Sequence, residues 1–284
     1  MNPPILARCF TEDRFQVYDF SFRLRTNHRV ARRLIANLYR RFRVSTTSET
    51  AVEAVLESDL DNGFLWRLGE QGATASDLAA ALWSLEASLC EAIIRSQRRC
   101  VAVHGATVCA GNFTAMLVGH SGAGKSTLSL ALARRGFSVA TDDVTLVDPA
   151  TLNLLPIPRC FHLVAHSVAL LESDGLRLPR AWKRFSFVVP SDLSAQTSQE
   201  CRVRLLILIT GPRAQHVYLA PISQAEMAAR LLSETGQGPL ADPETVGLLS
   251  RLAGSASSYM LTPGPLTSTA DAVADLILRQ KRSD

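Results

Sequence analysis

Residues 119–126 read Gly119-His120-Ser121-Gly122-Ala123-Gly124-Lys125-Ser126 and match the phosphate-binding pattern G-x-x-x-x-G-K-S. An apolar run at 113–118 precedes the pattern and helix-forming residues follow it, which is the strand–loop–helix context that the pattern requires. Glycines allow backbone N–H groups to approach a phosphate, and the positive end of the following helix points at the same anion. We therefore predict an α/β fold around this loop, with a helix over 125–135 that ends at Gly136.

The side chains of the loop complete a nucleotide site. Lys125 supplies a positive charge for the β- and γ-phosphates, and Ser126 offers a hydroxyl to Mg²⁺. Such a site alone does not distinguish a kinase from an ATPase motor, a GTPase or a transporter engine. The residues that we expect to contact the nucleotide are Gly119, Ser121, Gly122, Ala123, Gly124, Lys125, Ser126 and Thr127.

Two adjacent carboxylates follow the loop, with Asp142 seventeen residues after Lys125 and Asp143 next to it. They end a predicted strand over 137–141 that comes directly after the loop helix. One carboxylate is suited to hold Mg²⁺ and the other to take the proton from an attacking hydroxyl, which favours phosphoryl transfer. The alternative is an ordinary strand-end turn, where aspartates are common.

A histidine lies one strand before the loop. Residues 101–108 and 113–118 are mostly apolar, and we predict that they form a hairpin of two largely buried strands. His104 lies in the first of these strands. Taken alone, a histidine in an apolar strand is more often a core residue than a functional one, so both interpretations stay open.

The region before the hairpin has a different pattern and predicts a separate module. Residues 14–25 alternate apolar and polar and predict a strand, 28–42 show helical spacing, and 76–97 predict a long helix. We therefore divide the chain into a small α+β N-terminal module with a linker helix, 1–98, and a P-loop nucleotide-binding domain, 99–284.

The helix predicted over 28–42 is strongly basic, and no acidic residue occurs from Phe20 to Ser48. A solvated or intramolecular helix face is the first interpretation, and docking of an acidic peptide or another partner is the second. Nucleic acid is disfavoured because no aromatic residues interleave with the arginines as a stacking platform requires. The arginines of this 23–43 segment are Arg23, Arg25, Arg29, Arg32, Arg33, Arg40, Arg41 and Arg43. The apolar face of the same helix is expected to carry Val30, Leu34, Leu38 and Phe42, with Ile35 and Tyr39 alongside.

Composition narrows the class of protein. The chain has 284 residues, 47% of them hydrophobic, and a formal net charge of +4. No apolar run is long enough to span a bilayer, so we expect no membrane association. The six cysteines include no C-x-x-C pair, which argues against a zinc cluster and fits reduced thiols in the cytoplasm. The first residues lack the layout of a signal peptide, which favours the same location.

Together, these motifs resemble the catalytic core of HPr kinase/phosphorylase. The resemblance rests on His104-Gly105-Ala106, the loop at 119–127, Arg135-Gly136-Phe137 and Asp142-Asp143. It is close over residues 100–148 and looser elsewhere, and it is strongest to the HPr kinase-related proteins found beside biosynthesis genes for ribosomal peptides, including lasso peptides. The resemblance implies a P-loop kinase core whose fold is shared with phosphoenolpyruvate carboxykinase.

The same resemblance implies an activity, which is ATP-dependent phosphorylation of a serine hydroxyl on a peptide or small protein. It implies ATP and Mg²⁺ as cofactors, a homo-oligomeric assembly, and His104 close to the transferred phosphate. Lys125 and Ser126 would bind phosphate and metal, while Asp142 and Asp143 would divide the base and metal roles. The expected catalytic set is Asp142, Asp143, His104 and Lys125, and the expected metal set is Ser126, Asp142 and Asp143.

The sequence also departs from the family pattern. The family has a Glu followed by Arg-Gly-x-Gly downstream of the aspartates, whereas this chain has Leu155-Pro156-Ile157-Pro158-Arg159 in the region. The difference argues against HPr itself as the substrate and against the reverse phosphorylase reaction. Arg159 is a candidate for a phosphate or substrate contact, and a plain surface arginine is the alternative. A small-molecule kinase and an ATP-binding regulatory or assembly protein without transfer activity are the other functions that fit.

Overall fold

The structure is a computed structural model and describes residues 10–59, 63–176, 187–188, 201–211, 213–235 and 242–283. It is a mixed α/β protein, as the sequence predicts. The chain divides into two compact units, Met1–Arg98 and Arg99–Asp284. Across the described ranges, no helix is both long enough and apolar enough to cross a membrane.

The first unit contains a five-stranded sheet with strands in the order β1-β2-β3-β4-β5. Neighbouring strands are antiparallel except β2 and β3, which are parallel and are connected through the first helix. Its strands are β1 (Thr11–Val17), β2 (Phe20–Thr26), β3 (Val52–Asp59), β4 (Gly63–Leu68) and β5 (Gln71–Ala75). Its helices are α1 (Arg29–Leu38), a 3₁₀ turn (Arg40–Phe42) and α2 (Leu78–Ser96).

Two predictions for this unit are wrong in detail. The single strand expected over 14–25 is a hairpin, because the chain reverses at Tyr18, whose φ is 52°. The helix expected over 28–42 ends at Leu38, and the next residue, Tyr39, is fully buried and packs against the rings of Phe15 and Phe22. Of the residues expected on the apolar face, Ile35, Leu38 and Tyr39 are buried, whereas Val30 is 46% exposed. The buried residues of α1 are Ala31, Ile35 and Leu38.

The second unit is built on an eight-stranded sheet in the order β10-β9-β6-β7-β13-β15-β14, with β8 also paired to β6. Its strands are β6 (Val101–Ala110), β7 (Phe113–Val118), β8 (Ser138–Thr141), β9 (Val144–Val147), β10 (Asn153–Pro156), β13 (Cys201–Ile209), β14 (Tyr218–Pro221) and β15 (Ser257–Thr262), and a separate small pair consists of β11 (Phe161–His162) and β12 (Phe187–Val188). Its helices are α3 (Lys125–Arg134), α4 (Ala165–Ser173), α5 (Gln224–Ser233), α6 (Pro243–Gly254) and α7 (Leu266–Ser283).

The centre of this sheet positions the candidate site. β7, β13 and β15 are parallel neighbours, so the loops that follow Val118, Ile209 and Thr262 emerge at one edge of the sheet. The strands are buried in a core that includes Met116, Leu206 and Leu252. A parallel strand that is covered on both faces has a continuous apolar run in the sequence. The positions of β7 and β13 could be predicted for this reason.

The sequence did not predict β15, α4 and α6, nor the short strands β5, β10 and β11. α6 does carry a recognisable start signal, because Asp242 caps the helix and Pro243 occupies its first turn. β15 is only six residues long, and its central pair Tyr259-Met260 is only partly buried. Its apolar pattern is correspondingly weak, and its position is set by pairing with β13.

Candidate active site

The phosphate-binding pattern forms a loop between β7 and α3. Gly119, Gly122 and Gly124 have φ values of 151°, 82° and 97°, a region that side chains rarely adopt. A Cβ at Gly119 would also lie 2.8 Å from the carbonyl oxygen of Ile209 on the neighbouring strand. Glycine at this position therefore meets both a conformational and a packing requirement.

Lys125 begins α3 and is only 7% exposed. Its ammonium group donates hydrogen bonds to the carbonyl oxygens of Gly119, at 2.5 Å, and His120, at 3.2 Å. The positive charge is therefore held inside the curve of the loop, beside the positive end of the α3 dipole. His120 and Ser121 lie at the exposed rim, where the His120 ring contacts the Ser121 carbonyl oxygen.

The two aspartates form a two-residue bend between β8 and β9. β8 and β9 both pair with β6, through Thr107–Thr141 and His104–Val144, so the aspartates face Gly105 and Ala106. Asp143 has a φ of 74°, which is sparsely populated by non-glycine residues and costs about 1 kcal/mol or more. The ladder continues through this kink, because the Gly105 N–H donates to the Asp143 carbonyl oxygen at 2.9 Å. The kink sets the two side chains in different environments.

Asp142 is buried beneath the loop and is 3% exposed. The Ser126 hydroxyl donates a hydrogen bond to its Oδ2 at 2.8 Å. Its other oxygen, Oδ1, is buried and has no hydrogen-bond partner among the described residues. Burial raises the pKa of Asp142 to about 7, the nearby negative charge of Asp143 adds to the rise, and the Ser126 hydrogen bond opposes it.

Asp143 lies at the surface of the site, with its side chain 46% exposed. One carboxylate oxygen is 3.5 Å from Nδ1 of His104 and the other is 3.5 Å from a terminal nitrogen of Arg159. The hydrogen-bonding contact with His104 is the main cause that lowers the pKa of Asp143, and Arg159 adds to the decrease. The same contact raises the pKa of His104.

His104 and Arg159 thus meet at one carboxylate, although they are far apart in sequence. The His104 side chain is 53% exposed, so its interpretation as a core residue is wrong. The Arg159 side chain is only 12% exposed, so its interpretation as a plain surface arginine is wrong as well. Both side chains lie beside the Asp143 carboxylate, whose negative charge is offset by the Arg159 guanidinium and by His104 when the imidazole is protonated.

A cleft of about 550 Å³ opens beside the phosphate loop. Its floor is formed by the loop and the first turn of α3, and its walls come from α4 and from the segments that follow β13 and β15. The Thr127 hydroxyl donates to the Ser167 hydroxyl at 3.1 Å and joins α3 to α4 at the cleft. Sequence reasoning missed the lining residues His166, Ser167, Leu170, Gly211, Arg213, Pro263 and Gly264. Gly211 and Gly264 were detectable, since each follows an apolar strand at the edge where ligands bind.

The candidate metal ligands at this site are side-chain oxygens of the loop and of the aspartate pair. The described residues contain no group of three or more His, Cys, Asp or Glu side chains that is placed to hold a metal ion. Mg²⁺ commonly takes one or two carboxylates and completes its shell with phosphate oxygens and water. Ser126 and Asp142 have the oxygen donors that such an ion prefers.

Comparison with known proteins finds a structural match but no match in sequence. No protein-family model matches the chain, and no curated protein matches it. Among solved structures, the chain matches the Hpr(Ser) kinase/phosphatase from Coxiella burnetii with 15% sequence identity and a TM-score of 0.33. The match covers 64% of this chain and 91% of that one. At this TM-score and identity, the match carries no information about the function of this chain.

Proposed function

We propose that this chain is an ATP-dependent kinase of the HPr kinase-related type, with a P-loop core of the HPr kinase and phosphoenolpyruvate carboxykinase kind. It transfers the γ-phosphoryl group to a serine hydroxyl of a peptide or small protein. The observation that carries the proposal is the unequal carboxylate pair. Asp142 is buried against Ser126 of the loop, whereas Asp143 is open to solvent beside His104 and Arg159. The buried carboxylate beside the loop suits metal binding, and the exposed carboxylate suits proton transfer from a substrate.

The nucleotide is proposed to bind across the loop and the cleft. The loop backbone and Lys125 hold the β- and γ-phosphates. The cleft next to them has apolar walls from Leu128, Leu170 and Leu261, which suit the face of a base. Its volume of about 550 Å³ lies within the usual range for pockets that bind small molecules.

Mg²⁺ is proposed to be held by Ser126 and Asp142. The unpartnered Oδ1 of Asp142 supports this assignment, because a buried carboxylate oxygen without a donor is costly unless a cation or proton compensates it. When bound, the metal neutralises charge on the phosphates and aligns them. A cation beside Asp142 would also return its raised pKa toward the ionised range.

Asp143 is proposed to be the general base. It accepts the proton from the serine hydroxyl while that oxygen forms a bond to the γ-phosphorus, and the bond to the bridging oxygen breaks to release ADP. His104 orients the Asp143 carboxylate and keeps it ionised. Arg159 offers a guanidinium group to the equatorial oxygens of the phosphoryl group in transit.

Transfer of label from γ-labelled ATP tests the proposal. Candidate serine peptides, free serine and sugars are offered to the wild type, to Lys125→Ala and to Asp143→Asn. We expect label on a peptide serine, no transfer by Lys125→Ala, and a fall of about 10²-fold or more for Asp143→Asn. Arg279→Ala, which changes an exposed arginine of α7, is the control and should retain full activity.

The other outcomes identify the alternatives. Label on a small molecule alone would show a small-molecule kinase. Tight binding of ATP with no transfer to any acceptor would instead fit a regulatory or assembly protein. A cytoplasmic location and a homo-oligomeric assembly are part of the same proposal, and light scattering of the purified chain measures the second.

A further inference from the structure

The structure separates the eight arginines of the 23–43 segment into different roles. Arg32 and Arg43 both pair with Asp13, whose side chain is only 1% exposed. Arg25 pairs with Glu53 at 2.9 Å across neighbouring strands. These three arginines neutralise carboxylates of their own unit, so the intramolecular interpretation of the segment holds for them.

Three other arginines have no such role. Arg29, Arg33 and Arg40 are exposed, and their side chains make no hydrogen bond or ion pair within the described part of the chain. Arg29 and Arg33 are four residues apart on one side of α1, and Arg40 begins the 3₁₀ turn that follows the helix. We call these three residues the arginine row. The face of α1 that is buried against the sheet is a different one, formed by Ala31, Ile35 and Leu38.

This row is unfavourable for the isolated unit. Arg29 and Arg33 are four residues apart on a helix, a spacing at which like charges repel. α1 has no acidic residue in its first turn and none along its length, so nothing on the helix compensates the repulsion. Val30 lies beside the row and is 46% exposed. Packing of α1 against the sheet does not by itself explain three exposed arginines and an exposed valine on this helix and the turn after it.

We propose that Arg29, Arg33 and Arg40, together with Val30, form a docking surface for an acidic segment of the phosphoacceptor protein. The inference rests on the proposed kinase function. Guanidinium groups one to two turns apart can each receive a carboxylate in a bidentate pair. Val30 provides a small apolar contact between the charges. The partner is therefore a peptide segment with several Asp or Glu residues and an apolar side chain among them.

The observations favour a peptide over a nucleic acid. Base recognition in single strands needs exposed aromatic side chains, whereas Tyr39 is fully buried and Phe42 is half-buried and packs against the ring of Tyr18. The row is also short, and it contains only three arginines without a carboxylate partner. The chain as a whole has a formal net charge of only +4, far from the strongly basic surfaces of most nucleic-acid binders.

Fluorescence anisotropy tests the surface without nucleotide, so its result does not depend on phosphoryl transfer. The probe is a labelled peptide rich in glutamate with one central leucine, added to the full-length chain at low and at physiological salt. The test variant is Arg29→Glu/Arg33→Glu/Arg40→Glu. The matched control changes three exposed arginines of the other unit by the same charge, Arg230→Glu/Arg279→Glu/Arg282→Glu. Circular dichroism verifies that both variants are folded.

We expect the test variant to bind the peptide at least about tenfold more weakly and the control variant to bind like the wild type. A peptide that does not bind the wild type, or that binds both variants equally, would overturn the proposal. So would tighter binding of a single-stranded RNA or of vesicles with anionic lipid than of the peptide. Val30→Ser, which keeps all charges, should weaken binding by about two- to threefold through lost apolar contact.

Discussion

Replacement of Asp142 by asparagine should make the protein more stable in alkaline solution than the wild type. Burial raises the pKa of Asp142 from its ordinary 3.8 to about 7. The folded state therefore holds a proton that the unfolded state releases, and stability present at low pH is lost as pH rises through about 7. At about 1.4 kcal/mol per pKa unit, ionising Asp142 costs the folded state about 4 kcal/mol above neutrality.

The asparagine side chain does not ionise, so it escapes this cost. Its carbonyl oxygen can still accept the hydrogen bond from Ser126. From about pH 5 to about pH 8.5, the stability of Asp142→Asn relative to the wild type should increase by about 3 kcal/mol. Urea unfolding of both proteins, without nucleotide or Mg²⁺, measures the difference at each pH.

A control variant isolates the effect of burial. Asp275 is an exposed aspartate of α7, so Asp275→Asn should differ from the wild type by the same amount at both pH values. If the gap between Asp142→Asn and the wild type did not change with pH, the carboxylate would not be desolvated in the folded state. The assignment of Asp142 as a buried, metal-facing group would then be wrong.

Three further changes test the site and the packing around it, where Asp174 at the end of α4 pairs with Arg134 and Arg135. His104→Asn removes the contact that lowers the pKa of Asp143, so the acidic limb of the pH–rate profile should move to higher pH, with lower activity below neutrality. Asp174 has its pKa lowered, since hydrogen bonds outweigh the effect of burial, and it should stabilise the fold above about pH 4 and lose this contribution in acid. Asp174→Ala should cost about 3 kcal/mol by urea unfolding at neutral pH, because the largely buried Arg135 guanidinium loses a buried carboxylate partner. Gly119→Ala should lower stability by about 2 kcal/mol and weaken nucleotide binding in calorimetry, because its Cβ would meet the Ile209 carbonyl.

The elements around the loop were predictable because their signals are local. β7, the glycine-rich loop and α3 occupy consecutive residues, and an apolar run, three glycines and a helix-forming stretch identify them in order. The hairpin of β6 and β7 was predictable for the same reason. The turn that splits the predicted strand at 14–25 was missed, because Tyr18 adopts a positive φ without the glycine or asparagine that normally marks such a turn.

The candidate site was only partly predictable. The sequence places Asp142 and Asp143 shortly after the loop, but it does not distinguish the environments of the two carboxylates. Their difference arises from the kink opposite Gly105, which buries one carboxylate against Ser126 and exposes the other. The backbone conformation at Asp142-Asp143 depends on the pairing of β8 and β9 with β6. The two residues alone therefore do not predict this conformation.

The sequence by itself determined that a phosphate-binding loop begins a helix and that two carboxylates follow it, because short-range spacing specifies both. Only the tertiary structure decided which carboxylate is buried, that His104 and Arg159 converge on Asp143, and that a cleft lies beside the loop. The first two features depend on the pairing of β8 and β9 with β6, and the cleft depends on the strand order, in which β13 and β15 insert beside β7 from much later in the chain. Burial and pKa follow from neighbours in space, and such neighbours are set by non-local pairing rather than by sequence spacing.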